Sequence, residues 1–376
     1  MATESVALVL LAPVRGATQQ LIEPPGGRLA ATLQLDLPAG ARVPLQTVLN
    51  TGLDARSFTD LSKLTAGSLV TPNESFFVRT AGPAQLPPVD RWTISIGGLV
   101  REPVTIAVAG LEADVRPAGV HLAECSGNTA PTFGMISAAG WDGVPLRALL
   151  DRARRLPEAT HLLVSGIDDG DAPLKTSVPG ASWVFALDEL ERAGAFLATR
   201  MNGQQLSRDH GAPIRLVVPG WYGCVWIKWV DQLSLVNADT PATSQMREFA
   251  ARTHQAGVPA RAGEFAPATI DTAAMPIRVE KWLADGRIVY RIVGIVWGGS
   301  KPINDLLIRF KGNDPWVPVS NCPLPASTAT WSLWSHIWRP PAPGRYQITL
   351  RVKDPAVRTR RLDLYFYIRE VSIDEV

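Results

Sequence analysis

The sequence predicts an α+β fold, a mixed-sheet domain followed by a separate β-sandwich. Two observations carry that expectation. Between residues 71 and 240, strand-like and helix-like segments are interleaved without a regular βαβ rhythm. From 275 to 376, short strand-like runs are separated by turn signals, and no segment of comparable length has a helical period. A connector rich in Ala, Thr, Gly and Pro, residues 241–274, divides the two textures. The chain of 376 residues is long enough for two or three domains, each with its own core.

The elements follow in order. Residues 1–70 are loosely patterned, with a turn at Pro24-Pro25-Gly26-Gly27 and mixed loop and short helix over Asn50–Leu64. This segment is expected to wrap the domain that follows. Trp92–Gly98 alternates as a strand and ends in a Gly-Gly turn. Val144–Arg155 has helical spacing, with Leu146, Leu149 and Leu150 on one face. His161–Ile167 reads as a buried strand, Leu187–Thr199 as a helix, and Ile214–Val218 as a strand running into Pro219-Gly220. Beyond the connector, Ile277–Trp282, Ile288–Val293, Leu306–Phe310, Arg345–Lys353 and Leu362–Ile368 read as strands.

Composition excludes several functions. A net charge of +2 gives no electrostatic case for nucleic acid or a membrane surface. Three cysteines, 125, 224 and 322, form neither a CxxC zinc pattern nor a secreted disulfide framework, although a single Cys125–Cys224 bridge stays open. The five histidines are scattered, and no second Cys/His cluster suits a haem or iron–sulfur centre. The apolar run Val6–Val14 is too short to span a bilayer, and no basic stretch precedes it. The expectation is a cytoplasmic protein, or a periplasmic one if a leader peptide has been removed.

Chemistry gathers in five segments. They are Thr71-Pro72-Asn73-Glu74-Ser75-Phe76-Phe77-Val78-Arg79; Glu124-Cys125-Ser126-Gly127-Asn128; Trp141–Leu146; Met201-Asn202-Gly203 with Arg208–Arg215; and Pro219–Gly223 with Trp226-Ile227-Lys228-Trp229. Cys125 ends an extended apolar lead-in and precedes a small-residue turn, a place where a sulfur meets a ligand at a strand-to-loop corner. Alone, each segment has a plain structural reading. Their order and spacing together resemble the sulfite oxidase family of molybdenum-cofactor enzymes. The C-terminal block, notably Tyr290–Gly299 and Trp331–Trp338, resembles that family's immunoglobulin-like dimerisation domain.

The resemblance implies molybdopterin and molybdenum as cofactor, with Cys125 as the one protein ligand to the metal; thiolate sulfur suits such a centre. It implies cofactor contacts at Phe77, Val78, Arg79, Asp168, His210, Arg215, Trp226, Ile227 and Lys228, with the cations serving the phosphate. It places Arg79 and Lys301 against substrate and Trp141 at the substrate wall. Oxygen-atom transfer to or from a small-molecule substrate, a separate electron-transfer partner and a homodimer are also implied.

The sequence departs from the family where sulfite would bind. The expected His after Arg79 is Ala81, the expected Arg after Asn128 is Thr129-Ala130, the expected Tyr of the connector is Phe249, and Lys301 stands for an Arg. Each lost charge-assisted contact is worth about 1.5–3 kcal/mol, so sulfite binding should be weak. The expectation is a family member that is not an efficient sulfite oxidase and takes a neutral or bulkier oxygen donor or acceptor. Two other classes stay open: a non-catalytic pterin-binding or dimeric interaction protein, and a cysteine-nucleophile enzyme using His121, which shares a strand face with Cys125.

Overall fold

A computed structural model describes residues 21–36, 45–67, 69–129, 132–168, 181–359 and 368–376. The Val6–Val14 run and nearly all of Leu362–Ile368 lie outside them.

The first strand, β1 (Arg28–Leu33), precedes the mixed-sheet block. That block contains β2 (Thr93–Gly98), β3 (Val104–Ala107), β4 (Arg116–Glu124), β5 (Ile136–Pro145), α1 (Leu146–Leu150), β6 (His161–Gly166), β7 (Ser182–Ala186), α2 (Leu187–Ala193), β8 (Phe196–Met201), β9 (Gln204–Gln205), β10 (Arg215–Val217) and β11 (Val230–Val236). The connector holds α3 (Ser244–Phe249). The C-terminal block contains β12 (Ala273–Ala284), β13 (Arg287–Trp297), β14 (Leu306–Arg309), β15 (Val317–Pro318), β16 (Trp331–Trp338), β17 (Gly344–Val352) and β18 (Arg369–Ile373).

Two sheets build the first block. One runs β3-β2-β11-β6-β7; β2 and β11 are parallel and its other pairs antiparallel, so the sheet is mixed. The other is antiparallel in the order β10-β8-β5-β4, with β9 on β8. The C-terminal block forms two antiparallel sheets, β1-β12-β13-β16 and β15-β14-β17-β18.

Among the described residues the expected strands occur, and two expected helices are shorter than their periodicity suggests. Val144 and Pro145 finish β5, and the helix holds only as far as Leu150; a 3-10 turn and a left-handed Arg154 (φ 49°) then end it. The helix begun at Leu187 stops at Ala193 because Gly194 takes a left-handed φ of 65° and its N–H caps Leu190 and Glu191 carbonyls. Phe196–Thr199, read as the helix's last turn, is strand β8: its Phe-Leu-Ala run is buried on both faces and gains more from ladder pairing than from a fourth helical turn. The segment before residue 70 divides between the two blocks. β1 pairs with β12 of the C-terminal sheet, while Ser57 and Val78 exchange backbone hydrogen bonds of 2.8 and 3.1 Å.

The blocks share one apolar core. Trp331 Nε1 donates to Leu69 O (2.9 Å) and the Leu122 amide to Ala329 O (2.7 Å), so β16 is tied to the Leu69 loop and β4 to the segment leading into β16. A buried triad adds a charged tie: Glu280 accepts from Arg278 Nε (2.7 Å) and Arg291 Nε (2.6 Å). Burial alone would raise the Glu280 carboxyl's pKa, but the two guanidinium groups hold it below the usual range. Arg278 also donates to Leu64 O (2.5 Å) and Arg291 to Ile22 O (3.0 Å), which anchors the early chain on the C-terminal sheet.

Candidate active site

Loops at the strand ends of the first block, together with α3, line a cleft, and Cys125 is in its wall. It follows β4 directly; its amide donates to Met135 O (2.9 Å), its carbonyl accepts from the Asn128 amide (2.8 Å), and its sulfur accepts from the Gly127 amide at 3.4 Å. The tight turn holds the sulfur at the cleft wall.

Two cationic side chains and a histidine also converge on this cleft. Ser207 caps a short turn, Arg208–His210, and Gly211 closes it at φ 99°; a Cβ there would stand 3.0 Å from Lys228 Cβ and 3.1 Å from Arg215 Cβ. Glycine is required both for the backbone and for the approach of the two cations. Arg215, at the start of β10, is buried between the Trp141 and Trp226 rings (5.4 and 5.8 Å). It donates to His210 O (3.2 Å) and Trp226 O (3.3 Å), and its Nε has no partner. Lys228 Nζ donates to Asp209 O (2.8 Å) and to Thr80 O, and lies 4.3 Å from the Trp229 ring centre.

These groups disfavour one another's charge. Burial, then Lys228 and Arg215, lower the His210 imidazole to about 4, so it is neutral at pH 7; its Nε2 is 3.2 Å from Asn73 O. Burial lowers Arg215 to about 9 and, with Arg215 beside it, takes Lys228 well below its usual value. Two desolvated cations and one orphaned buried N–H suit an anion, and a phosphate is a chemical match for them.

Ten of the residues read from sequence line this one cleft: Phe77, Val78, Arg79, Cys125, Asp168, His210, Arg215, Trp226, Ile227 and Lys228. Two others do not. Lys301 is exposed, is not in the cleft lining and pairs with Asp354 at 3.4 Å; a Cβ on Gly298 or Gly299 would meet Asp271 or Thr272. Trp141 is wholly buried, edge-on to Trp226 and beneath Arg215, so it supports the cation instead of walling the pocket. His121 does not line the cleft; its Nε2 is 2.7 Å from Ala118 O and its ring packs on Phe196, which removes the base from a cysteine-nucleophile reading.

Sequence reasoning missed Arg56, Cys224, Gln245 and Glu248. Arg56 is lowered to about 10 by burial and then by Arg79, and it also feels Cys125, Asp54 and Glu248. It donates to Leu53 O (2.9 Å) and Ala55 O (2.7 Å), and to Arg79 O. No spacing rule links it to Cys125; only the Ser57–Val78 pairing brings it there. Cys224 directly follows a motif already singled out. Its thiol is pushed up to about 12 by burial, so it stays protonated, and both thiols are free. Phe249, where a phenol was expected, lines the cleft, whereas Tyr222 is buried behind it, its hydroxyl 3.5 Å from the Asp271 amide.

Residues 81–244 match the family model of the oxidoreductase molybdopterin binding domain. The chain is 30% identical over 202 residues to spinach NADH nitrate reductase (48% of this chain, 21% of that protein). It is 25% identical over 301 residues to chicken sulfite oxidase (73% and 64%). These alignments span less than two thirds of either relative's length. The crystal structure of the sulfane dehydrogenase SoxCD from Paracoccus pantotrophus shares the fold, with a TM-score of 0.62, 19% identity and 92% and 91% of the two chains covered. Residues 81–244 are thus a molybdopterin-binding oxidoreductase domain of the sulfite-oxidase-like kind, whose cofactor is molybdopterin with molybdenum.

Proposed function

We propose that this protein is an oxidoreductase that transfers an oxygen atom at a molybdenum centre ligated by Cys125, and that sulfite is not its efficient substrate. The observation that carries the reading is one cleft lined both by the Cys125 thiol and by a cation cluster with an orphaned guanidinium N–H. That pairing fits a cofactor with a metal end and a phosphate end. When bound, the cofactor supplies two-electron redox chemistry and oxygen-atom exchange.

The chain's own residues bind and orient. Arg215 and Lys228 hold the phosphate, neutral His210 accepts or donates a single hydrogen bond, and Asp168, Phe77, Val78, Trp226 and Ile227 line the body of the cofactor. Near Cys125, Arg79 and Arg56 are offset by Asp54 and Glu248. With Phe249 in the phenol's expected place, that balance suits a neutral or bulkier substrate, such as a sulfoxide or another organic sulfur compound, better than a doubly charged anion.

Further parts of the reading concern the surroundings. The two C-terminal sheets are read as an immunoglobulin-like sandwich that mediates a homodimer, and electrons pass to or from a separate partner. The proposed divisions are residues 1–70, 71–240, 241–274 and 275–376. The protein is placed in the cytoplasm, or in the periplasm if a leader is removed.

The test is metal and pterin analysis of wild type and Cys125→Ser from a cofactor-competent host. About one molybdenum and one pterin per chain, with an altered metal spectrum in the mutant, is expected. Stoichiometric metal with an unchanged spectrum in Cys125→Ser would remove the ligand assignment. Neither metal nor pterin in wild type would leave the non-catalytic reading standing.

A further inference from the structure

Beside Cys125 lies a group that the cofactor reading does not use. Glu124 is the last residue of β4 and is wholly buried (0% exposed). Its Oε2 accepts from Trp297 Nε1 at 2.8 Å, and its Oε1 from Asn128 Nδ2 at 3.2 Å. Asn128 closes a ring around the thiol: its amide donates to Cys125 O (2.8 Å), its Oδ1 accepts from the Met135 amide (3.1 Å), and Met135 O accepts from the Cys125 amide (2.9 Å). Every bond of that ring fixes either the Cys125 backbone or the side chain that fixes it.

Trp297 gives the ring a second anchor. It ends β13 of the C-terminal sheet and is itself buried. The opposite side is equally confined: a Cβ on Gly223 would stand 3.3 Å from Glu124 O, so the neighbouring corner of the cleft closes onto the same peptide.

We propose that Glu124 is a positioning residue for the metal centre: clamped by Asn128 and Trp297, it fixes the direction of the Cys125 sulfur and makes that direction depend on the C-terminal sheet. A carboxylate can accept from both N–H donors at once. A glutamine of the same shape must turn its NH₂ toward one of them, leaving two donors face to face in a buried site. Groups that orient a metal ligand in this way commonly change metal affinity about 10–100-fold when replaced.

The proposal rests on Cys125 holding molybdenum. The experiment compares wild type, Cys125→Ser, Glu124→Gln, Trp297→Phe and the Glu124→Gln/Trp297→Phe double variant, each expressed with the cofactor. The readouts are the electron paramagnetic resonance spectrum of the partly reduced metal and the rate of metal loss on dialysis. Both single variants are expected to retain pterin, to shift the spectrum, and to lose metal about 10–100-fold faster. The double variant should be no worse than the worse single, because the two share one bond.

Folded single variants with the wild-type spectrum and metal retention, even if they melt earlier, would overturn the proposal and leave Glu124 a packing residue. Should Glu124→Gln fail to fold, Trp297→Phe decides on the same readouts, since it removes the indole N–H, with part of the ring, and leaves the Glu124 carboxylate in place. A wild-type spectrum in Cys125→Ser would instead strike the ligand assignment itself.

Discussion

Arg215 and His210 show that a residue can be chosen for its ligand at the expense of the empty fold. Arg215 is buried with an unpartnered Nε, so its charge costs stability until an anion arrives. Arg215→Met is therefore expected to leave the cofactor-free protein as stable as wild type or more so by thermal melt, while weakening cofactor retention about tenfold or more, the effect of one lost charge-assisted contact. His210 makes a pH prediction. Its folded pKa of about 4 lies below the unfolded value of 6.5, so between these pH values the unfolded chain binds the extra proton. The stability this group contributes is complete above pH 6.5 and is lost as pH falls toward 4. Thermal melts of the cofactor-free protein should decline across that window, and His210→Asn should decline less; His336, also held near 4 by burial, contributes in the same direction in both. These residues were legible in the sequence because a short Gly- and Pro-rich motif fixed their neighbours. Arg56 was not, because its place beside Cys125 follows from a loop pairing between residues distant in sequence. Lys301 was misplaced for a related reason: counting from Gly298-Gly299 gives a distance along the chain but not the direction in which those turns send it.

At the level of elements, close packing of glycines sets the geometry. Gly294 lies mid-strand in β13, where a Cβ would come within 2.2 Å of the Trp334 ring and 2.5 Å of Met275 O. Gly294→Ala should destabilise the C-terminal sheet by about 1–3 kcal/mol, the cost of overpacking, measurable as a lower denaturant midpoint. If Trp297 at the end of the same strand is displaced, the variant should lose metal as well. Strand content was readable from alternation and turn residues: β12 and β13 include the runs read from them, and β17 all of its run but Lys353. Helix length was not. A period of apolar residues does not reveal that Gly194 will stop α2 or that the Phe196 run will join a ladder, since both outcomes depend on neighbouring strands.

For the whole molecule, the reading makes two expectations for the intact protein. Steady-state assays should show weak sulfite oxidation and stronger turnover with a neutral sulfur substrate; robust sulfite oxidation with a micromolar KM would overturn the assignment. Light scattering at micromolar concentration should give a dimer mass, and a monomer would count against the role assigned to the C-terminal sheets. The general architecture could be read from the contrast in texture across the connector. The joining of the two blocks could not, because the Trp331–Leu69, Leu122–Ala329 and Glu124–Trp297 bonds involve residues with no special pattern of their own.

The pairing of β1 with β12 bears on how the chain matures. Arg28 leaves the ribosome about 250 residues ahead of its ladder partner Leu283. Contacts so distant in sequence close slowly. During synthesis, β1 and the carbonyls of Ile22 and Leu64 must wait for β12, Arg278 and Arg291. The early chain is thus expected to remain open to protease until the C-terminal sheet forms, and a truncation before Ala273 should leave residues 21–36 readily cleaved while the full chain protects them.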